Sequence, residues 1–332
     1  MDKIKFAIPK GSLEKATAEF FSKSGYKIGG TERTYRPSIN DPQIEMKVLR
    51  PQEIPVFVSE GLQDLGITGE DWVKENFADV EILQNLEYGK IKLVIAVPKS
   101  CQNVTMGEFM ELIWSQGKNF RISTEYLNIA SEYLKSTPQY KKRFGDSEPM
   151  LVTPWWRKGD NARAKIFLSF GATEAKPPED SDAIMDVTET GTTIEANNLK
   201  IIDTVLRSAA ILIANKKSLE DPEKREKIYD IVALLKGVVD GSKRIHIFVN
   251  VKKANLQKLL TELPALKNPT ISPLADDTWV SVNTVIEKDC LIELLPKIRK
   301  LAQGLVVYEP RQVLALDDLA TRVEKTCKSK AK

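Results

Sequence analysis

Short apolar runs that each hand over to a helix set the tightest limit on what this chain can fold into. Ile4-Lys-Phe-Ala-Ile-Pro9 reads as a strand and Lys10-Gly-Ser12 as a turn. Leu13, Ala16, Phe20 and Phe21 then mark the inner face of a helix. Ile44–Leu49 is a second strand, and Arg50-Pro-Gln-Glu-Ile-Pro55 opens a helix with proline near its first turn. Asp64-Leu-Gly-Ile-Thr-Gly69 is a third strand, with Glu70 and Asp71 starting the next helix. Lys92–Val97 is wholly apolar after its lysine, as in strands covered on both faces of a parallel sheet. Repeated units of this kind predict a layered α/β fold.

A second α/β block begins near residue 99. Phe120–Ser123 reads as a strand, Glu125–Lys135 as a helix and Ala164–Phe170 as another strand. The charged stretch from Pro138 to Pro149 reads as loop, and Trp155-Trp-Arg-Lys-Gly-Asp160 as an exposed loop in which paired tryptophans most simply pack locally. Ile201–Leu206 and Ala209–Ala214 read as strands returning to the first block. A chain that crosses to a second lobe and returns makes a hinged cleft.

After residue 220 the pattern changes. Asp221-Pro-Glu opens an amphipathic helix to about Lys236. Arg244–Val251 alternates strictly, with Ile245, Ile247, Val249 and Val251 on one face. A helix over 254–263, extended chain at 270–274, a strand at 279–286, a helix from Cys290 to Gln303 and a strand at 305–308 follow. The order β-α-β-β-α-β is the ferredoxin-like arrangement. Such small domains can pair sheet edges, so oligomerisation is expected here. The charged tail from about Asp317 to Lys332 reads as fraying.

Asp186-Val-Thr-Glu-Thr-Gly-Thr-Thr193 carries the clearest chemical signal. The apolar run Ala183-Ile-Met185 leads in, and Ile194–Leu199 reads as the start of a helix. A strand, a hydroxyl-rich turn and a helix N-terminus point consecutive N–H groups at one spot, where a phosphate can sit. Gly191 permits the turn. Asp186 and Glu189 cannot hold a phosphate but can accept hydrogen bonds from sugar hydroxyls beside it. An ordinary turn with an N-capping threonine accounts for the same residues equally well.

Composition removes several function classes. A net charge of +3 is too small to imply nucleic-acid or membrane partners. Cys101, Cys290 and Cys327 are scattered, without metal or disulfide spacing, which fits a reducing cytoplasm. The first residues enter a strand pattern directly, so no signal peptide is expected, and no apolar run approaches the ~18 residues of a membrane span. The single histidine, His246, would have to serve any Ser/His/Asp or Cys/His triad. It lies in a strand pattern with no nucleophile motif nearby.

Taken in order, several stretches together resemble one family. They are Ile8-Pro-Lys-Gly-Ser-Leu13, Arg50–Pro55, Asp64–Gly69, Tyr88-Gly-Lys-Ile-Lys-Leu-Val94, Asp186–Thr193 with Glu195-Ala-Asn197, and Asn268-Pro-Thr-Ile-Ser-Pro-Leu274. The chain resembles ATP phosphoribosyltransferase, the first enzyme of histidine biosynthesis, in its long form with a C-terminal regulatory domain. The resemblance implies a periplasmic-binding-protein-like pair of lobes and an ACT-like, ferredoxin-like α+β third domain. On this chain these would be lobe I at 1–98 and 194–220, lobe II at 99–193, a linker helix at 221–240, a regulatory domain at 241–316 and a tail at 317–332.

The same resemblance implies the site. The turn Glu189, Thr190, Gly191, Thr192 and Thr193 would hold the 5-phosphate of phosphoribosyl pyrophosphate, and Asp186 and Glu189 would face the ribose hydroxyls or a magnesium shell. Lys10, Gly11, Ser12 and Arg50, with Glu70 and Asp71 beside them, would face ATP or the pyrophosphate. Mg2+ would enter on the substrate pyrophosphate, its protein ligands unspecified. Asn250, Leu266 and Thr270 would bind histidine as inhibitor, and dimers would assemble into hexamers. Many family members carry arginine where this chain has Ser12. The stretch 150–182 is longer and more charged than the family pattern, leaving open which of Arg157, Lys158, Arg163 and Lys165 reach the cleft; Glu174 is expected to be structural. The alternative on the same fold is a solute-binding module or amino-acid sensor without chemistry.

Overall fold

The computed structural model describes residues 2–30, 34–101, 105–263 and 269–314. Leu266 and the 317–332 tail lie outside the described residues. The chain divides into two compact units, one of residues 1–4, 15–46 and 219–332, the other of residues 5–14 and 47–218.

Two sheets hold most of the second unit. In a five-stranded sheet the order is Ile44–Leu49, Ile4–Pro9, Leu65–Gly69, Ala210–Ala214 and Glu81–Asn85. The first three strands are parallel: Phe6 pairs with Leu65, while Ile4 N–H bonds Gln43 O and Lys10 N–H bonds Leu49 O. The other two are antiparallel to their neighbours. Ile54, Val58, Ala7, Ile211 and Ile213 form the core over this sheet.

A seven-stranded sheet follows the order Arg157–Lys158, Pro149–Val152, Asn161–Leu168, Phe120–Thr124, Ala183–Thr188, Ile91–Pro98 and Leu199–Ser208. Its four central strands from Pro149 to Thr188 run parallel. Its core is large, with Trp114, Phe120, Tyr140, Ile166 and Met185 buried against helices Met106–Ser115 and Leu127–Ser136. These two layered sheets are the two-lobed α/β arrangement that the resemblance implies.

The expected lobe boundaries need correction. Ile91–Pro98 and Leu199–Ser208 both pair in the seven-stranded sheet rather than joining the first block. A wholly apolar run shows that a strand is buried but not which sheet buries it. The crossings therefore fall at 86–90 and at Ser208–Ala209. They run side by side, with Leu86 N–H bonding Ala210 O and Ala210 N–H bonding Tyr88 O.

Several local expectations shift for identifiable reasons. The charged 138–149 stretch contains the helix Pro138–Phe144, begun by a proline at N1, anchored by buried Tyr140 and closed by Lys141, Lys142 and Arg143 where the dipole favours cations. The helix expected from Ile194 is only Thr192–Ala196, and Asn198 at φ 57° turns the chain into the strand at Leu199. The expected helix from Cys290 to Gln303 is Leu291–Ile298, and Gln303 belongs to the last strand.

In the other unit, the helix Pro222–Ser242 runs past the expected end. The strands Arg244–Lys252, Thr270–Pro273, Trp279–Glu287 and Ala302–Tyr308 make an antiparallel sheet. In chain order these are strands one to four, and the spatial order 2-3-1-4 is the ferredoxin-like one. Ile245, Ile247, Val249 and Val251 bury one face under Leu259, Leu294 and Ile298, as their alternation requires.

Candidate active site

The parallel strands of both sheets end at one cleft. From the five-stranded sheet come Lys10, Gly11 and Ser12 after the strand Ile4–Pro9, Arg50 after Ile44–Leu49, and Gly69 and Asp71 after Leu65–Gly69. From the seven-stranded sheet come Glu125 and Tyr126 after Phe120–Thr124, and Val187 near the end of Ala183–Thr188. All of them line one cavity of about 220 Å³. Carboxyl ends of parallel strands are where open α/β sheets bind ligands, because turns and helix starts gather there.

Lys10, Gly11, Ser12 and Arg50 are thus brought together. Gly11 sits at φ 89°, and a β-carbon added there would lie 3.7 Å from Arg50 Nη1, so the guanidinium lies close over this turn. Ser12 is exposed and Lys10 half-buried.

Asp71 lines the same cavity, as expected, with its carboxylate held by neighbours. It is 4% exposed, and both carboxylate oxygens are occupied. Oδ1 accepts from the Ser208 hydroxyl at 2.5 Å and Oδ2 from the Tyr126 hydroxyl at 2.7 Å. Burial and the Asp71 charge together push the Tyr126 phenol far above its usual range, so it remains a donor. Glu70 faces a neighbouring cavity of about 450 Å³ and pairs with Lys74 at 2.9 Å.

Glu189 lines that second cavity with Lys90, Lys92 and Arg207, and Ile91 borders both cavities. Asp186, Thr190, Gly191, Thr192 and Thr193 line neither. The turn itself is largely exposed, with Gly191 at φ 91° ahead of the helix Thr192–Ala196. Thr188 Oγ1 accepts the Gly191 N–H at 2.7 Å, and the Thr190 and Thr192 hydroxyls meet at 2.8 Å. As at any helix start, the first-turn N–H groups lack intrahelical partners.

Asp186 has its pKa pushed up to about 6. Burial is the main cause, and the charges of Glu174 and Glu125 add to it. Val187 N–H, 2.7 Å from Oδ1, and the Thr173 hydroxyl work against it.

Of the open basic residues, Arg163 binds Gly117 O, Asn119 Oδ1 and Trp114 O, at the strand's amino end and away from the cleft edge. Lys165 lies mid-strand beside Arg121 and Met150. Arg157 and Lys158 are exposed on the outer strand. Glu125, Tyr126 and Trp72, which stacks on Tyr126 at 4.4 Å, were not legible as cleft residues, since their sequence signals are only those of helix starts.

In the C-terminal sheet Asn250 and Thr270 are both exposed. Asn250 pairs with Ser281 and Thr270 with Asn283, so both stand on the face opposite the helices. Asn283 Oδ1 on that face is buried without a hydrogen-bond partner.

The profile of ATP phosphoribosyltransferase matches residues 50–237, and that of the HisG C-terminal domain matches residues 242–311. The chain belongs to the ATP phosphoribosyltransferase family. It is similar to the ATP phosphoribosyltransferase of Solibacter usitatus, 39% identical across 94% of this chain and 99% of that one. The Chlorobaculum parvum enzyme is 37% identical over 94% of this chain and 97% of its own. A solved chain from the Thermotoga maritima ATP phosphoribosyl transferase (HisG:HisZ) complex overlays with a TM-score of 0.54 and 25% identity, covering 71% of this chain and 98% of that one. An ATP phosphoribosyltransferase is a pentosyltransferase that catalyses the first step of histidine biosynthesis, and the C-terminal match makes this chain a long form.

Proposed function

We propose that the cleft at the two carboxyl edges is where the phosphoribosyl group passes from phosphoribosyl pyrophosphate to N1 of ATP. One observation carries this reading: Val187, from the strand that leads into the Thr-Gly-Thr-Thr turn, faces the same cavity as Lys10, Gly11, Ser12 and Arg50. The turn 189–193 holds the 5-phosphate, and Asp186 faces the ribose. Lys10 and Arg50 face the polyphosphates.

In the reaction the N1 lone pair attacks the anomeric carbon as the bond to pyrophosphate breaks. The leaving group takes the electron pair, and the ribose becomes oxocarbenium-like. Lysine and arginine stabilise the growing negative charge, and carboxylates beside the ring stabilise the positive one. Adenine N1 is nucleophilic at neutral pH, so a chain with one histidine needs no strong base. Holding two large anions in line carries most of the rate.

Mg2+ belongs to this reading as a companion of the pyrophosphate. Among the described residues no three His, Cys, Asp or Glu side chains are grouped to hold a metal. Mg2+ commonly takes only one or two carboxylates when substrate phosphates complete its shell. Asp186, crowded by the charges of Glu125 and Glu174, fits such a shared site. When bound, the ion would neutralise the pyrophosphate.

Histidine as feedback inhibitor is assigned to the open face of the C-terminal sheet, where Asn250, Thr270 and the unpartnered Asn283 Oδ1 stand. Assembly from dimers to hexamers and a cytoplasmic location complete the reading. No helix among the described residues is long and apolar enough to cross a membrane.

Release of pyrophosphate from ATP and phosphoribosyl pyrophosphate tests the reaction, with histidine added in a second arm. Release that requires both substrates is expected, and its absence would leave a binding module.

A further inference from the structure

Two large aromatic rings stand open at the carboxyl edge of the seven-stranded sheet. Trp155 is 72% exposed and Phe170 69%, with ring centroids 5.8 Å apart at 76°. They follow Pro149–Val152 and Asn161–Leu168, which run parallel to Phe120–Thr124, the strand that delivers Glu125 and Tyr126 to the cleft cavity. Their backbones are fixed although their rings are not covered. Thr153 Oγ1 accepts from Trp155 N–H at 3.3 Å and Trp156 N–H at 3.0 Å. Ser169, beside Phe170, is buried, donates its N–H to Thr124 O at 2.8 Å and meets the Thr173 hydroxyl at 2.9 Å.

We infer that Trp155 and Phe170 form the stacking platform for the purine base of the nucleotide substrate. The inference rests on the proposed cleft and deepens it. Its chemical ground is the reaction itself. N1 lies on the hydrogen-bonding edge of adenine and must reach the anomeric carbon, so that edge cannot be consumed in recognition. The faces of the base stay free for recognition, and aromatic side chains hold bases by their faces.

Location supports the same occupant. Thr173, which braces Ser169, also hydrogen-bonds Asp186, so the platform and the ribose side of the site share one hydroxyl. The strand before Phe170 is two positions from the strand of Asp186 in the sheet, roughly 10 Å at ordinary strand spacing.

Steady-state kinetics on the full-length enzyme test the platform. Trp155→Ala and Phe170→Ala should each raise KM for ATP about 10-fold, with KM for the phosphoribosyl donor unchanged. Trp155→Phe should restore most of the loss and Trp155→Leu should not, since stacking rather than bulk is at work. A second measurement uses the unaltered protein: saturating ATP should protect Trp155 from N-bromosuccinimide oxidation, read by peptide mass spectrometry, and the donor should not. An unchanged KM for ATP, or equal oxidation with and without ATP, would overturn the platform. So would variants that alter assembly in sedimentation while leaving ATP kinetics intact, because the pair would then be a contact between copies. Thr192→Ala with Thr193→Ala, measured in parallel, separates failure of the platform from failure of the cleft reading, since it acts on the donor alone.

Discussion

The Tyr126 hydroxyl donates to Asp71 Oδ2 at 2.7 Å, joining the helix after one sheet to the helix start after the other. Ser208, where the chain crosses back, holds the second oxygen. Asp71 is thus held in place through both carboxylate oxygens. Tyr126→Phe removes one donor from a buried carboxylate and should cost about 1–3 kcal/mol. Chemical denaturation should show it as a lower midpoint. A midpoint equal to that of the parent would mean that the phenol contributes no net support.

Glu75 makes a second bond between the same helices. Its carboxylate accepts the N–H groups of Asn128 at 2.9 Å and Ile129 at 3.0 Å, capping the helix Leu127–Ser136 from outside. Burial nevertheless pushes its pKa from 4.5 to about 7; those N–H bonds oppose the rise and Glu132 adds to it. With the folded value above the unfolded one, folding favours the protonated form. The associated stability is present below about 4.5 and is lost as pH rises through about 7. Glu75→Gln should therefore narrow the gap in Tm between about pH 5 and about pH 8. An identical gap in both proteins would show that Glu75 does not titrate in this window.

Much of this architecture was legible because strands announce themselves locally. Ile4–Pro9 and Ile44–Leu49 fall where their apolar patterns put them, and alternation from Arg244 identifies the buried face of the last sheet. The helix Met106–Ser115 was missed, although the box Thr105–Glu108, whose reciprocal bonds are formed, marks its start. What escaped was long-range. Asp71 finds Tyr126 across 55 residues and Ser208 across 137, and nothing near any of them signals the others. The exposed loop at Trp155 was legible, but its ring meets Phe170, 15 residues on, which no local signal announces.

The Thr-Gly-Thr-Thr turn predicts a selective kinetic loss. Thr192 and Thr193 are exposed at a helix start, so truncating them removes hydroxyl donors without opening a core. Thr192→Ala with Thr193→Ala should raise KM for the phosphoribosyl donor by about 10-fold or more, as for loss of one or two bonds to a charged group. KM for ATP should stay close to the parent value. An unchanged donor KM would remove the phosphate from this turn.

Asp186 predicts a pH profile. Its carboxyl is protonated below about 6, and the neutral form attracts neither a cation nor an oxocarbenium-like ribose. Activity at low donor concentration, which reports the free enzyme, should fall on the acid side with an apparent pKa near that value. Asp186→Asn should lower activity and flatten this limb. A limb that survives in the variant would assign the titration to another group.

Inhibition by histidine is better tested by point substitution than by truncation. The segment 310–314 packs in the same unit as the helix Pro222–Ser242: Val313 N–H donates to Gly237 O, and Gln312 Nε2 to Ser24 O and Leu234 O. Cutting the chain at residue 240 would strip those bonds and the end of that helix together, so lost inhibition could reflect a damaged helix. Asn250 is exposed on the open face of its sheet and no core depends on it. Asn250→Ala should weaken histidine inhibition about 10-fold, the worth of one charge-assisted hydrogen bond, while both substrate KM values hold. Full inhibition of that variant, read in the pyrophosphate assay across a histidine series, would place the inhibitor away from this face.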